Sequence, residues 1–154
     1  MTVIKNGEFM ENAWVHLTDE PMPASGVVTI PLDRWLKCVH EGTPGVRLTA
    51  TDTVEKLVAG ELNKIPIIVL DMAAFTDGRT FSQARLLERL GYRGEIRARG
   101  DFLRDQMFFL SRVGVNAFEF PDGTPLEDRL KAFKEFSVTY QAAADRPEPL
   151  YQRR

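Results

Sequence analysis

Cysteine is nearly absent from this chain: Cys38 is the only one among 154 residues. A lone cysteine excludes an internal disulfide and fits a reducing compartment. Histidine is scarce too, and His16 and His40 are too few and too poorly spaced for a zinc site. Cys38 and His40 stand two apart on an expected helix, where each residue turns about 100°, so they face different ways and structural roles are expected for both. No long apolar run exists. The longest, Ile65 to Leu70, falls far short of the roughly 20 residues that span a bilayer. The N-terminal MTVIKNGEFMENAW has no apolar core of a signal peptide, being interrupted by Glu8 and Glu11. The expectation is a cytoplasmic protein with no membrane partner. A net charge of −2 gives no basic excess, so no nucleic-acid partner is expected either. Also missing are a GxxxxGK phosphate loop, a GxGxxG after a strand and a GxSxG elbow. With no nucleotide fingerprint, cysteine pair, haem ligands or iron–sulfur ligands, neither cofactor nor metal is expected, and independent redox chemistry is the least supported activity.

What is present is an ordinary globular composition, 44% hydrophobic and 27% charged, long enough to bury a real core. One α/β domain over 1–154 is expected, with an extended C-terminal tail from about residue 141. Strand-like and helix-like segments alternate, which argues for about five parallel βα units. Strands are expected at 27–31, 46–50, 66–71, 95–99 and 117–120. The helix after the first strand runs through Trp35, Leu36 and Val39. The second is capped by Asp52 with Glu55 three residues on, and carries Val54, Leu57, Val58 and Leu62 at helical spacing. The others are expected at 82–90, at 101–113 with Asp101 as N-cap, and from Thr124-Pro125-Leu126-Glu127, a capping box, to Phe136.

Neighbouring residues of a strand point to opposite faces, so alternation distinguishes the two ways of arranging five βα units. One face collects Ile68, Leu70, Ile96, Ala98, Phe118 and Phe120; the other collects Asp71, Glu95, Arg97, Arg99 and Glu119. A doubly wound sheet buries both faces under helices and wants apolar strands throughout. Three consecutive strands with one charged face favour a partial (β/α) barrel with a polar concave side. An N-terminal segment or a second subunit could cover that side, and two half-barrels covering one another would make a homodimer.

The stretch from Asp77 to Gln106 falls where two strand–loop–helix turns should converge, the place where parallel sheets hold ligands. Asp77-Gly78-Arg79 is either a tight turn capped by Asp77 or an anion site made of Arg79 and the next helix start. Arg97 and Arg99 share one strand face and repel unless something negative lies between them: Glu119 or Asp71, or an oxyanion. Asp101 and Gln106 complete the anion-binding candidates. Gln106 sits inside an apolar helical arc and must brace a loop or contact a ligand. Phe108 falls on the opposite, polar side of that helix. With Arg104, Arg112 and Tyr151 of the basic tail, it is a candidate partner contact. No catalytic residue is assigned.

The segment FTDGRTFSQARLLERLGYRGEIRARGDFLRDQMFFLSRVG, with NAFEF and FSVTYQAAADRP after it, resembles a bacterial family known as domain of unknown function 934. The resemblance runs from IKNGEFMENAWVHL to PLYQRR, and its specific parts are DGR-x-x-S-x-A-R-L-L and RARGD-x-L-R-D-Q. Thr80 departs from the glycine common after DGR. Members are often encoded beside assimilatory sulfite reductase, and some are described as oxidoreductases of sulfite reduction. No reaction is established for the family, so the resemblance carries no catalytic residue over. It implies a cofactor-free accessory protein of sulfite reduction or sulfate assimilation, with sulfite reductase as partner. The alternative is a small oxyanion-binding enzyme or sensor with an arginine clamp, where Asp77 or Glu119 would be the acid or base.

Overall fold

A computed structural model of the chain describes residues 2–37, 44–57, 62–136 and 138–153. Cys38, Val39, His40, Val58 and Arg154 lie outside the described residues. The chain opens with a hairpin that the sequence pattern does not predict, β1 (Thr2–Lys5) and β2 (Glu8–Glu11). Its turn is Asn6-Gly7, both at positive φ (51° and 81°), which is what a two-residue hairpin loop requires. A third unanticipated strand, β3 (Trp14–His16), comes next. Then come five strands, four of them followed by a helix: β4 (Val27–Pro31) and α1 (Leu32–Lys37), β5 (Gly45–Leu48), β6 (Ile67–Met72) and α2 (Arg79–Arg89), β7 (Glu95–Gly100) and α3 (Arg104–Arg112), β8 (Ala117–Phe120) and α4 (Leu126–Lys131).

All eight strands form one sheet in the order β2-β1-β8-β7-β6-β5-β4-β3. From β3 to β8 every pairing is parallel; β1 joins β8 and β2 antiparallel, so the sheet is mixed rather than purely parallel as expected. Eight strands about 4.8 Å apart would separate the edges of a flat sheet by about 34 Å. Yet Glu11 ends β2 on one edge and Trp14 opens β3 on the other, and three Cα–Cα steps reach no further than about 11 Å. The sheet is therefore curled into a half-barrel with the helices outside. Ile68, Leu70, Ile96, Ala98, Phe118 and Phe120 all belong to the main core beneath those helices, as the alternation predicts.

Four expectations about element ends are corrected. β5 stops at Leu48 because Asp52 takes the Thr49 N–H and hydroxyl, at 2.7 and 2.8 Å, instead of capping a helix. Beyond it, among the described residues, the chain forms two 3₁₀ turns, Val54–Leu57 and Leu62–Lys64, in place of the expected helix. Asp101 does not cap α3: its amide stays on the Met72 carbonyl at 2.9 Å, prolonging the strand, and extended Leu103 is the N-cap. Gln106 Oε1 accepts the Leu103 N–H at 3.0 Å. Thr124 turns its hydroxyl back to the Pro121 carbonyl, so α4 starts uncapped after Pro125 and tightens into a 3₁₀ turn at Ala132–Lys134.

Candidate functional site

Strand register places Asp71, Arg99 and Glu119 side by side on β6, β7 and β8, all facing the concavity. Direct neighbours of opposite charge attract across a sheet, and residues two along are within reach of long side chains. Arg99 Nη1 donates to Asp71 Oδ1 at 3.0 Å, and its Nε lies 3.4 Å from Glu119 Oε1. Arg97, one row below, donates to Glu119 Oε2 at 2.8 Å and to Glu95 Oε1 at 2.7 Å. Lys5 of β1 holds the other oxygen of Glu95 at 2.7 Å. The repulsion between Arg97 and Arg99 is thus relieved by carboxylates of the neighbouring strands, Glu119 standing against both.

The N-terminal segment fills the rest of the concave side. Asn12, between β2 and β3, accepts from Arg97 Nη1 at 2.8 Å. His16 of β3 places Nε2 at 2.9 and 3.0 Å from the two Glu119 oxygens and Nδ1 at 2.6 Å from Thr29 Oγ1. A carboxylate only accepts, so Nε2 carries a proton. The Thr29 hydroxyl can donate to a bare Nδ1 or accept from a protonated one. Burial pushes the Glu119 carboxyl upward, but the hydrogen bonds and charges of His16 and Arg97 outweigh it, and Glu119 lies below the usual carboxylate range. The Arg97–Glu119 part of the charged side is thus covered by this chain's own N-terminal segment.

Sequence reasoning missed three residues here. His16, weighed only as a metal ligand, belongs to the charge network instead. Arg47 of β5 shares the parity of the charged face, a signal available in Val46-Arg47-Leu48. Its Nη2 reaches the Leu17 carbonyl at 2.8 Å, while its buried Nε has no partner among the described residues. Burial depresses the Arg47 guanidinium below its ordinary value, partly offset by the charge of Asp71. Gln83 of α2 donates to the carbonyls of Thr49 and Asp52 at 2.7 and 2.9 Å, holding the loop after β5.

That loop and the ends of β6, β7 and β8 enclose a cavity of about 330 Å³ at the carboxyl end of the parallel strands. Of the expected anion-binding residues, Arg99 and Glu119 line it and Arg97 lies beneath, against Glu119. The others are elsewhere. Asp77 and Arg79 are paired with each other at the start of α2, the shortest bonds being 2.9 Å from Nε and 2.6 Å from Nη2. Hydrogen bonds from the Arg79 side chain and backbone hold the partly buried Asp77 carboxyl down at about 2. Gly78 is the N-cap of α2, and Asp101 is exposed. Gln106 Nε2 donates to the Phe75 carbonyl at 2.7 Å, so it braces a loop.

A second concavity, about 370 Å³, lies outside the sheet between α3 and a wall of Phe136, Val138, Thr139, Tyr140 and Gln141. Phe108, expected to be exposed, is buried at its base, 4.8 Å from Phe136 between ring centres. The polar side of α3 became an inside because the C-terminal segment packs on it. Phe109 of the expected apolar arc is the exposed ring, with Phe136, Val138 and Tyr140 beside it. Arg112 stacks over Phe108, donates to the Gln141 carbonyl at 2.6 Å and pairs with Asp145 at 3.4 Å. Arg104 similarly holds the Asp128 carbonyl and Glu135. Arg104 thus holds α4 and the turn after it, and Arg112 holds the C-terminal segment, which ends in a 3₁₀ turn, Leu150–Gln152, with Tyr151 exposed.

Among the described residues no group of three or more His, Cys, Asp or Glu could hold a metal ion, and no helix is long and apolar enough to cross a membrane. No curated protein and no solved structure matches the chain. The sequence profile of the family described as Bacterial protein of unknown function (DUF934) matches residues 45–151. That span runs from β5 to the final turn and includes Arg47, Asp71, Arg97, Arg99, Glu119 and the whole α3 groove, and the chain belongs to this family.

Proposed function

We propose that the protein is a cofactor-free accessory of assimilatory sulfite reduction that acts by holding sulfite reductase through the groove beside α3. The observation that carries the reading is the aromatic lining: Phe109, Phe136 and Tyr140 stand 51%, 49% and 76% exposed around the buried Phe108. Aromatic rings with an arginine among them are what protein interfaces enrich, and scattered single apolar residues would not form a concavity. The choice of partner rests on the family resemblance.

Purified sulfite reductase from the same organism, titrated into this protein in a calorimeter, tests the proposal. A saturable 1:1 interaction is expected, weakened about 30-fold by Phe109→Asp, as for the loss of a roughly 2 kcal/mol anchor. Because Phe109 is half exposed, the variant should melt like the wild type. Absence of binding between the two folded wild-type proteins would refute the partner assignment.

A further inference from the structure

We infer that the cavity at the carboxyl ends of β5 to β8 is a binding site for a small zwitterion, an α-amino acid with an apolar side chain. The site is distinct from the groove beside α3 and does not depend on it. Its polar floor is the pair Asp71–Arg99, each just under one-third exposed, and the pair meets through one bond only, Arg99 Nη1 to Asp71 Oδ1. Among the described residues Asp71 Oδ2 and Arg99 Nη2 make no hydrogen bond. An acceptor of negative charge and a donor of positive charge are therefore left unpaired on two neighbouring residues that line the cavity. The walls are apolar, chiefly Met72, Phe120 and Pro121.

Charge decides the ligand class. Two carboxylates, Asp71 and Glu119, line the cavity against one guanidinium, Arg99. A bare oxyanion such as sulfite or sulfate would face both carboxylates, one of them, Glu119, already held by His16 and Arg97. A ligand with an ammonium beside its carboxylate meets each free atom with its opposite, ammonium on Asp71 Oδ2 and carboxylate on Arg99 Nη2. The volume lies at the low end of small-molecule sites, which suits an amino acid and leaves its side chain against the apolar walls. Arg47, with its buried, partnerless Nε, adds positive charge behind Asp71.

The probe is the set of standard L-amino acids at millimolar concentration, screened on the full chain for a rise in melting temperature, with calorimetry on the strongest responder. The expected result is a response from apolar members, absent for the N-acetyl and methyl ester forms of the same amino acid and for sodium sulfate and sulfite. Asp71→Asn, which preserves shape, should weaken binding by at least about ten-fold. Should that variant not fold, the two blocked forms test the wild type by themselves. No response to any amino acid, equal binding of the N-acetyl form, or a response to sulfate or sulfite alone would each overturn the assignment.

Discussion

His16 Nε2 lies 2.9 Å from Glu119 Oε1, although 103 positions separate the two residues in the chain. Their strands, β3 and β8, are five places apart in the sheet, about 24 Å if the sheet were flat. The contact is a measure of the curl, and it joins the N-terminal segment to the interior charge network that includes Lys5, Arg47, Arg97 and Arg99 against Asp71, Glu95 and Glu119.

Glu119→Ala should destabilise the protein by about 3–5 kcal/mol, since it strands a buried Arg97 and His16 without their carboxylate. Glu119→Gln keeps an acceptor for Arg97 and should cost less. Urea unfolding of both variants checks this ordering. An alanine variant within about 1 kcal/mol of wild type, by the standard of an exposed pair, would mean the network does not hold the barrel shut.

Acid should loosen the fold through the same residue. Glu119 has a depressed value when folded, so its ionised form stabilises the native state above the unfolded carboxylate range, and that contribution is lost as pH falls through the folded value. Thermal melting from neutral pH downward should show a decline that Glu119→Gln flattens. Parallel curves would assign the acid sensitivity to other carboxylates.

Gly100 has φ of 112° and its α-carbon faces the Met72 carbonyl so closely that a methyl group has no room. Gly100→Ala should therefore cost about 1–3 kcal/mol and deform the cavity mouth where Asp101 bonds Met72. Denaturant midpoints give the first effect. Unchanged stability would show that the strand end shifts freely.

Arg112→Ala removes the strap on Gln141 and Asp145 while leaving the sheet untouched. Limited proteolysis should cut faster after Arg146, with a global stability change of no more than about 3 kcal/mol, the range for a hydrogen bond made by a charged group. A large fall in melting temperature instead would make the C-terminal segment part of the cooperative core.

Strands β4 to β8 are legible as short apolar runs between turn and helix signals, and the charged face shows where period-2 alternation survives, as with Arg97 and Arg99 on one side of β7 and Ala98 on the other. The curl is implied by that face alone. β1, β2 and β3 escape such a reading, since strands of three or four residues carry too little pattern against charges such as Lys5, Glu8 and Glu11. Asn6-Gly7 is the available signal, a hairpin dipeptide between two short runs of apolar residues. The exchange of Phe108 for Phe109 has a different cause. Helical phase says which residues share a face, but not what will cover it, and here the cover comes from Phe136 at the far end of the chain.

The hairpin at residues 2–11 has a consequence for how the protein is made. β1 emerges from the ribosome well before its partner β8, with six other strands between them in the chain. A lone hairpin is marginal in water, and pairing over so long a loop is slow. Until β8 has emerged, β1 lacks that partner and the arginines and glutamates of the concave face stay wet. Sealing the barrel is thus a late step, and release of the first eleven residues would return β8 to a bare edge open to other chains.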